Sequence, residues 1–266
     1  MSTILDTILA KKKRELVEIK KLVPIETLQR IQRKRKHFSL KDSLLKGNSS
    51  GIIAEFKRKS PSKDWINKDA KTTEIVPLYE KYGAAGSSIL TDTPFFGGSI
   101  TDLIKAGELV NIPILRKDFI IDEYQIIEAA KFGADAILLI AACLSCEKVK
   151  ALAKTAKENH LEVLLEIHNE QELAHICDDV TLVGVNNRNL KTFKTSLETS
   201  IELSNKIPDQ FIKISESGIS SAEDIKLLQT YGFKGFLVGE SFMKTSDPGK
   251  ACMDFIHNLK TYSHEN

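Results

Sequence analysis

From residue 51 onward the chain alternates short runs of aliphatic and β-branched residues with longer amphipathic stretches, eight times over. The runs are 51–57 (GIIAEFK), 87–92 (SSILTD), 112–118 (IPILRKD), 135–141 (DAILLIA), 161–167 (LEVLLEI), 182–187 (LVGVNN), 211–216 (FIKISE) and 235–239 (GFLVG). All have the length of a buried strand. Segments such as 122–132 and 221–231 are amphipathic, and each is followed by a glycine placed to end a helix in the left-handed region. Gly83, Gly107, Gly133 and Gly232 are expected as helix stops. Strict alternation implies a parallel sheet buried on both faces, and eight units favour a closed barrel over an open doubly wound sheet. No Gly-x-Gly-x-x-Gly turn follows the first run, so a dinucleotide-binding fold loses its main support. The expected fold is an α/β (β/α)8 TIM barrel with an N-terminal helical extension.

The length of 266 residues suits one such barrel, with residues 1–50 as the extension, 51–260 as the catalytic barrel and 261–266 as a tail. Net charge is only +2, but residues 1–50 carry thirteen Lys/Arg against five Asp/Glu, which is +8 there and −6 elsewhere. A nucleic-acid arm or an organelle presequence would look like this. The reading preferred is an amphipathic helix with a wet basic face, because Leu5, Leu9, Lys12, Leu16 and Ile19 recur at three- and four-residue steps. No run of eighteen uncharged apolar residues occurs, and the first residues put their charges after their apolar residues, the reverse of a secretory signal. The expectation is a cytoplasmic protein with no membrane and no nucleic-acid partner. Cys143, Cys146, Cys177 and Cys252 follow no disulfide framework and are read as reduced thiols.

In such barrels chemistry sits at the carboxyl ends of the strands. The first run ends Glu55-Phe56-Lys57-Arg58-Lys59-Ser60-Pro61-Ser62, the third Arg116-Lys117-Asp118-Phe119, the fifth Glu166-Ile167-His168 and the sixth Asn186-Asn187-Arg188-Asn189. The seventh ends Ser215-Glu216-Ser217-Gly218 and the eighth Val238-Gly239-Glu240-Ser241. Strand side chains alternate faces, so Glu55 with Lys57, Lys117 with Phe119, and Asn186 with Arg188 each share a side. Carboxylates and ammonium groups are thus free to converge in one mouth and shift each other's pKa. Ser217, Gly218, Gly239 and Glu240, after the last two strands, are placed to offer backbone amides to a phosphate.

Taken together, IIAEFKRKSPS, LRKDFIID, LLEIH, GVNNRNL, ISESGI and FLVGESFM, in this order and spacing, closely resemble the indole-3-glycerol phosphate synthase family. The resemblance implies a carboxy-lyase without metal or cofactor, converting 1-(2-carboxyphenylamino)-1-deoxyribulose 5-phosphate to indole-3-glycerol phosphate in tryptophan biosynthesis. It implies Lys117 as the general acid on the ribulose carbonyl, with Glu166 close by to position or share the proton. Glu55 and Lys57 then serve the dehydration, as proton acceptor and donor or as positioners. Asn186 and Ser217 contact the reacting region, Arg188 and Glu216 support the charge network, and Phe119 with Ser60 and Pro61 borders the anthranilate ring. Lys57, Ser217, Gly218, Gly239 and Glu240 hold the phosphate. The partner expected is the small-molecule substrate, and the protein is expected to be a monomer with at most weak association with enzymes of the pathway. One departure stands out: after Ser60-Pro61-Ser62-Lys63 the family usually places a glycine, where this chain has Asp64-Trp65 in the loop that should cover the pocket.

Cys143-Leu-Ser-Cys146 has the spacing of half a zinc site, but no second pair accompanies it, so a buried thiol is preferred. His168 follows Glu166 on the same strand face and has the chemistry of a base, although a supporting role is preferred. Trp65, Phe95 and Phe96 are read as loop anchors rather than stacking platforms. Two rival functions remain: a phosphate-binding barrel isomerase or epimerase, which needs Cys with Asp or metal-binding His and Asp at the strand ends, and a silent barrel that binds nucleic acid through its basic first fifty residues.

Overall fold

The computed structural model describes residues 3–190 and 192–261, and in it the eight runs become eight parallel strands closed into a barrel. They are β1 (Ile52–Phe56), β2 (Gly86–Leu90), β3 (Ile114–Lys117), β4 (Ala136–Ile140), β5 (Glu162–Ile167), β6 (Leu182–Asn186), β7 (Ile212–Glu216) and β8 (Gly235–Val238). Each pairs with its neighbours in sequence, and β1 closes on β8 with Ile52 beside Phe236 and Ile53 beside Leu237. The alternation of faces divides the core. Ile53, Leu115, Leu138, Leu164, Ile214 and Leu237 fill the barrel, while Ile52, Ala54, Ile137, Val163 and Phe236 pack outward under the helices.

Three helices precede the barrel: α1 (Ile4–Leu22), α2 (Ile25–Arg30) and α3 (Leu40–Leu45). A capping box starts α1, the Thr3 hydroxyl accepting from the Asp6 amide and the Asp6 carboxylate accepting from the Thr3 amide. Pro24 lies just beyond its end and cannot continue it. Helix α3 stops the amino-terminal end of the barrel with fully buried Leu40 and Leu44, each worth about 1.5–3 kcal/mol of burial. Glu162, the first residue of β5, fixes that helix by accepting from the Ser39 hydroxyl at 2.6 Å and the Leu40 amide at 2.7 Å.

The basic N-terminal segment differs from a wholly wet surface. The expected stripe does face inward, with Lys12 and Leu16 buried, but Lys12 is itself a core cation: its Nζ lies 2.9 Å from Asp92 and 3.0 Å from Asp118. Arg33 and Arg35 converge on the fully buried Asp135, which also accepts from the Phe38 and Ile114 amides. Much of the local excess of positive charge therefore answers carboxylates of the barrel, because a buried anion needs a partner. Among the glycines, Gly83, Gly133 and Gly232 have φ of +95°, +98° and +85°, as helix stops should. Gly107 does not: it is the last residue of the helix Ile100–Gly107, and its lack of a side chain makes room for Arg35, whose Cδ would lie 3.0 Å from a Cβ there. The helix Pro248–Thr261 ends the described chain, so residues 262–266 of the expected tail lie outside the described residues.

Candidate active site

At the carboxyl ends of the strands is a cavity of about 340 Å³. Glu55, Lys57, Ser60, Pro61, Lys117, Phe119, Glu166, Asn186, Arg188, Ser217, Gly218, Gly239 and Glu240 all line it, so side chains and turns from six strand ends meet as their parity predicts. Glu216 is the exception. It is completely buried and stands behind Lys117 rather than in the cavity wall.

Lys117, the last residue of β3, is the centre of the arrangement. Its Nζ lies 2.6 Å from Glu216 Oε2, 3.7 Å from Glu55 Oε2 and 3.8 Å from Glu166 Oε2, three carboxylates from three other strands. Burial disfavours the ammonium, but Glu216, Glu55 and Glu166 outweigh it and hold the lysine pKa well above its ordinary value. The carboxylates separate in the opposite sense. Burial, with Glu166 and Glu55 nearby, pushes Glu216 up to about 7 despite the lysine. Burial acts on Glu166 too, but His168, Lys117 and Asn186 overcome it and hold that carboxyl at about 2. Glu55 is also held below its usual value, burial being outweighed by Lys57, whose Nζ is 2.7 Å away, and by Lys117. Two glycines make this crowding feasible. A Cβ at Gly184 would collide with Glu216 Oε1, and one at Gly239 would lie 2.8 Å from the Glu55 side chain.

One end of the cavity is formed by the turn after β7 and the start of the helix after β8. Ser217 and Gly218 have φ of +67° and +80°, which turns the chain sharply back from the strand. Asn187 secures that turn, a residue for which the sequence suggested no role: its Nδ2 donates to the Ser217 carbonyl and to Ser215 Oγ, both at 3.0 Å, while its Oδ1 accepts from Ser200 Oγ at 2.8 Å. The available signal was parity, since an asparagine following Asn186 must point away from the cavity into the packed layer and needs partners there.

A lid crosses the mouth. Lys59–Ser60 pairs antiparallel with Asp64–Trp65, and the tip between them is tied down by Lys63 to Glu240 at 2.6 Å and by Arg188 Nη1 donating to Ser62 Oγ at 3.0 Å. Asp64, where the resembled family usually has glycine, has φ of +52°, a conformation that asparagine and aspartate tolerate better than most side chains. Trp65 rests against the Gly97 turn and lies between Lys59 and Lys68, each ammonium 5.6 Å from its ring centre, so it anchors the loop. Phe96 is not only an anchor: it lines the cavity and packs on Phe119 with ring centres 5.9 Å apart. Ile4, Leu5 and Ile8 of α1 supply a further apolar wall, of which only Leu5 belongs to the stripe expected from the sequence. The four cysteines are free thiols, Cys143 half-buried rather than buried, with its pKa pushed up to about 12 by burial and by Glu166 and Glu172.

Residues 5–255 match the family described as indole-3-glycerol phosphate synthase. The chain belongs to the indole-3-glycerol phosphate synthase family. An indole-3-glycerol phosphate synthase of Bacteroides thetaiotaomicron is 51% identical over 261 residues, spanning 98% of this chain and 100% of that one. One from Chromobacterium violaceum is 44% identical over 257 residues, 94% of this chain and 97% of that one. The 3-hexulose-6-phosphate synthase of Salmonella typhimurium shares the fold, with a TM-score of 0.62, 13% identity and coverage of 79% of this chain and 99% of that one. Within the synthase family, then, this chain carries its six strand-end motifs on one barrel mouth, with the lysine of β3 at their focus.

Proposed function

We propose that the cup of charges around Lys117 performs the family's three-step conversion of 1-(2-carboxyphenylamino)-1-deoxyribulose 5-phosphate to indole-3-glycerol phosphate. The observation that carries this reading is Lys117 Nζ held within 3.8 Å of Glu55, Glu166 and Glu216 at the floor of a lidded cavity. An ammonium placed there both stabilises a carbonyl oxygen gaining negative charge and can give it a proton.

In the first step the ring carbon bearing the carboxylate attacks the ribulose ketone, and the carbonyl π pair moves to oxygen, which takes a proton from Lys117. The bond to the carboxylate then breaks, carbon dioxide leaves, and the electron pair returns to restore the aromatic ring. In the third step the new hydroxyl leaves as water with a proton from Lys57, while Glu55 takes the proton lost from the neighbouring carbon and the indole double bond forms. One proton is consumed from solvent overall. Glu216, which exchanges a proton near neutrality, returns one to Lys117 across their 2.6 Å contact. Glu166 and Asn186 orient the reacting groups, Phe119, Pro61 and Ser60 border the anthranilate ring, and Lys57 with the turns at Ser217, Gly218, Gly239 and Glu240 takes the phosphate. Arg188 holds the lid to Glu240. The Glu240 carboxylate, tied to Lys63 and Arg188, leaves phosphate binding at that residue to its main chain.

The same reading makes the protein a cytoplasmic monomer that associates at most weakly with enzymes of its pathway. Among the described residues no helix is long and apolar enough to cross a membrane. Mixing the purified protein with the carboxyphenylamino deoxyribulose phosphate should produce indole absorbance and carbon dioxide in equal amounts. Carbon dioxide without indole, or neither product, would refute the assignment.

A further inference from the structure

His168 lies two residues beyond Glu166, at the end of β5, behind the cavity wall and outside its lining. Its side chain is only 10% exposed. Nε2 sits 3.3 Å from Glu166 Oε1, at ion-pair distance but without hydrogen-bond alignment, and Nδ1 sits 3.3 Å from Glu172 Oε2. Glu172 is not a loose surface anion. Its carboxylate accepts from the His168 amide at 2.7 Å and from Asn169 Nδ2 at 2.9 Å, while its own amide donates to Asn169 Oδ1 at 3.2 Å. The outer anion is thus clamped by its own turn, and the ring stands between that anion and the Glu166 carboxylate.

We propose that His168 is a positioning residue for the reaction, a wedge between Glu166 and Glu172 that aims the Glu166 carboxylate at Lys117 and balances its charge. The assignment rests on the function given above, since it matters only if Glu166 acts at the reacting centre. A ring flanked by two carboxylates at equal distance has no acceptor role open to it in the row: both nitrogens face anions, so both carry protons. It follows that His168 is no general base. Without that cation, Glu166 would be a buried carboxylate facing Glu55 and Glu216 with only Lys117 opposite, and two lysines, Lys57 on Glu55 and Lys117, would serve three anions. The imidazolium makes the count three cations for the three inner anions and leaves Lys117 to pair most closely with Glu216.

The titration of the ring agrees with its position. Burial lowers the imidazole pKa, but Glu166 and Glu172 overcome this and hold it at about 10. The groups that bear on the row are Glu172 and His175 from the turn Glu170–His175, Cys143 from the turn after β4, Lys117 from β3, Glu55 from β1, Asn186 from β6 and Glu216 from β7. Cys143, with its thiol pushed up to about 12, brings no charge to the row near neutrality. The His175 ring is engaged elsewhere, with the Glu172 and Leu144 carbonyls.

Two measurements decide the matter. The first uses the whole protein with ¹³C-labelled histidine, in which the His168 resonance among the six histidines is assigned by its loss in His168→Gln. The ring is expected to remain an imidazolium through pH 8, and a neutral ring at pH 7.5 would overturn the proposal whatever the enzyme's activity. The second is the pH profile of kcat for wild type, His168→Gln and His168→Lys with the carboxyphenylamino deoxyribulose phosphate. In His168→Gln the acidic limb should move up by about one unit or more, with kcat reduced roughly tenfold at pH 7 and KM little changed. His168→Lys should restore part of the limb, which a loss of packing would not do. A His168→Gln profile that overlays wild type would also overturn it. Failure of wild type to turn over at all would instead defeat the proposed function, leaving the resonance to judge the wedge.

Discussion

Glu216 Oε2 lies 2.6 Å from Lys117 Nζ, while its other oxygen is buried against Gly184 with no hydrogen-bond partner among the described residues. One carboxylate thus has half its acceptor capacity used by a charged donor and half left unsatisfied, an expensive arrangement in a folded core. The barrel tolerates it because the residue can carry a proton near neutrality.

This has a signature in stability. Glu216 titrates at about 7 in the folded protein against an ordinary value of 4.5. Between those values the folded chain keeps a proton that the unfolded chain has lost, so its contribution to stability falls as pH rises through the window. Glu216→Gln removes that fall. Urea denaturation at several pH values should show wild type losing on the order of 2 kcal/mol relative to Glu216→Gln from pH 4.5 to 7. Parallel pH dependences for the two proteins would contradict the assignment.

Lys12 offers a second test, at the join between α1 and the barrel. It is 7% exposed and faces Asp92 and Asp118, so Lys12→Met leaves the buried Asp92 carboxylate without its cation and Asp118 with Arg116 alone. The expected loss of stability is about 3–5 kcal/mol, against less than about 1 kcal/mol for a surface pair. Because Ile4, Leu5 and Ile8 of the same helix line the cavity, KM should rise as well. In a double-mutant cycle, Asp92→Asn should recover more than about 1 kcal/mol of the loss. A loss in the surface range would mean that the cluster is not closed to water.

The lid carries its own reporter, since Trp65 is the sole tryptophan of the chain and is 44% exposed. In Lys117→Ala, which should bind substrate without converting it, adding substrate should shift the tryptophan emission to the blue as the loop settles. Asp64→Gly removes the side chain from a left-handed position and gives the hinge more freedom. Its turnover should depend less on solvent viscosity than that of wild type, because loop opening is then faster than chemistry. Identical viscosity dependence would remove the lid from the rate-limiting step.

The barrel and the inner ring of its site were legible in the sequence for one shared reason, alternation. A buried parallel strand writes its length as an apolar run, and the period of two says which end residues face the axis, which is why Glu55, Lys57, Lys117, Phe119, Asn186 and Arg188 could be placed together. What alternation does not report is depth or partner. Glu216 has the parity of a cavity residue but sits behind Lys117 because Gly184 beside it leaves a hollow, a fact of cross-strand register. Lys12 reads as the one charged member of an apolar helix stripe, and its role appears only when the loops after β2 and β3 bring Asp92 and Asp118 beneath it. Asn187, Ile4 and Phe96 escaped for the same reason: their roles depend on contacts between segments far apart in the chain.

In the proposed mechanism the ammonium of Lys117 supplies the proton and charge for ring closure. Single-turnover formation of the indole product by Lys117→Met tests it most directly, because the three carboxylates left behind can take up protons and keep the fold. The rate should fall by about 10³-fold or more, with the thermal transition still cooperative and substrate binding retained. A Lys117→Met protein that closes the ring within tenfold of the wild-type rate would contradict the account.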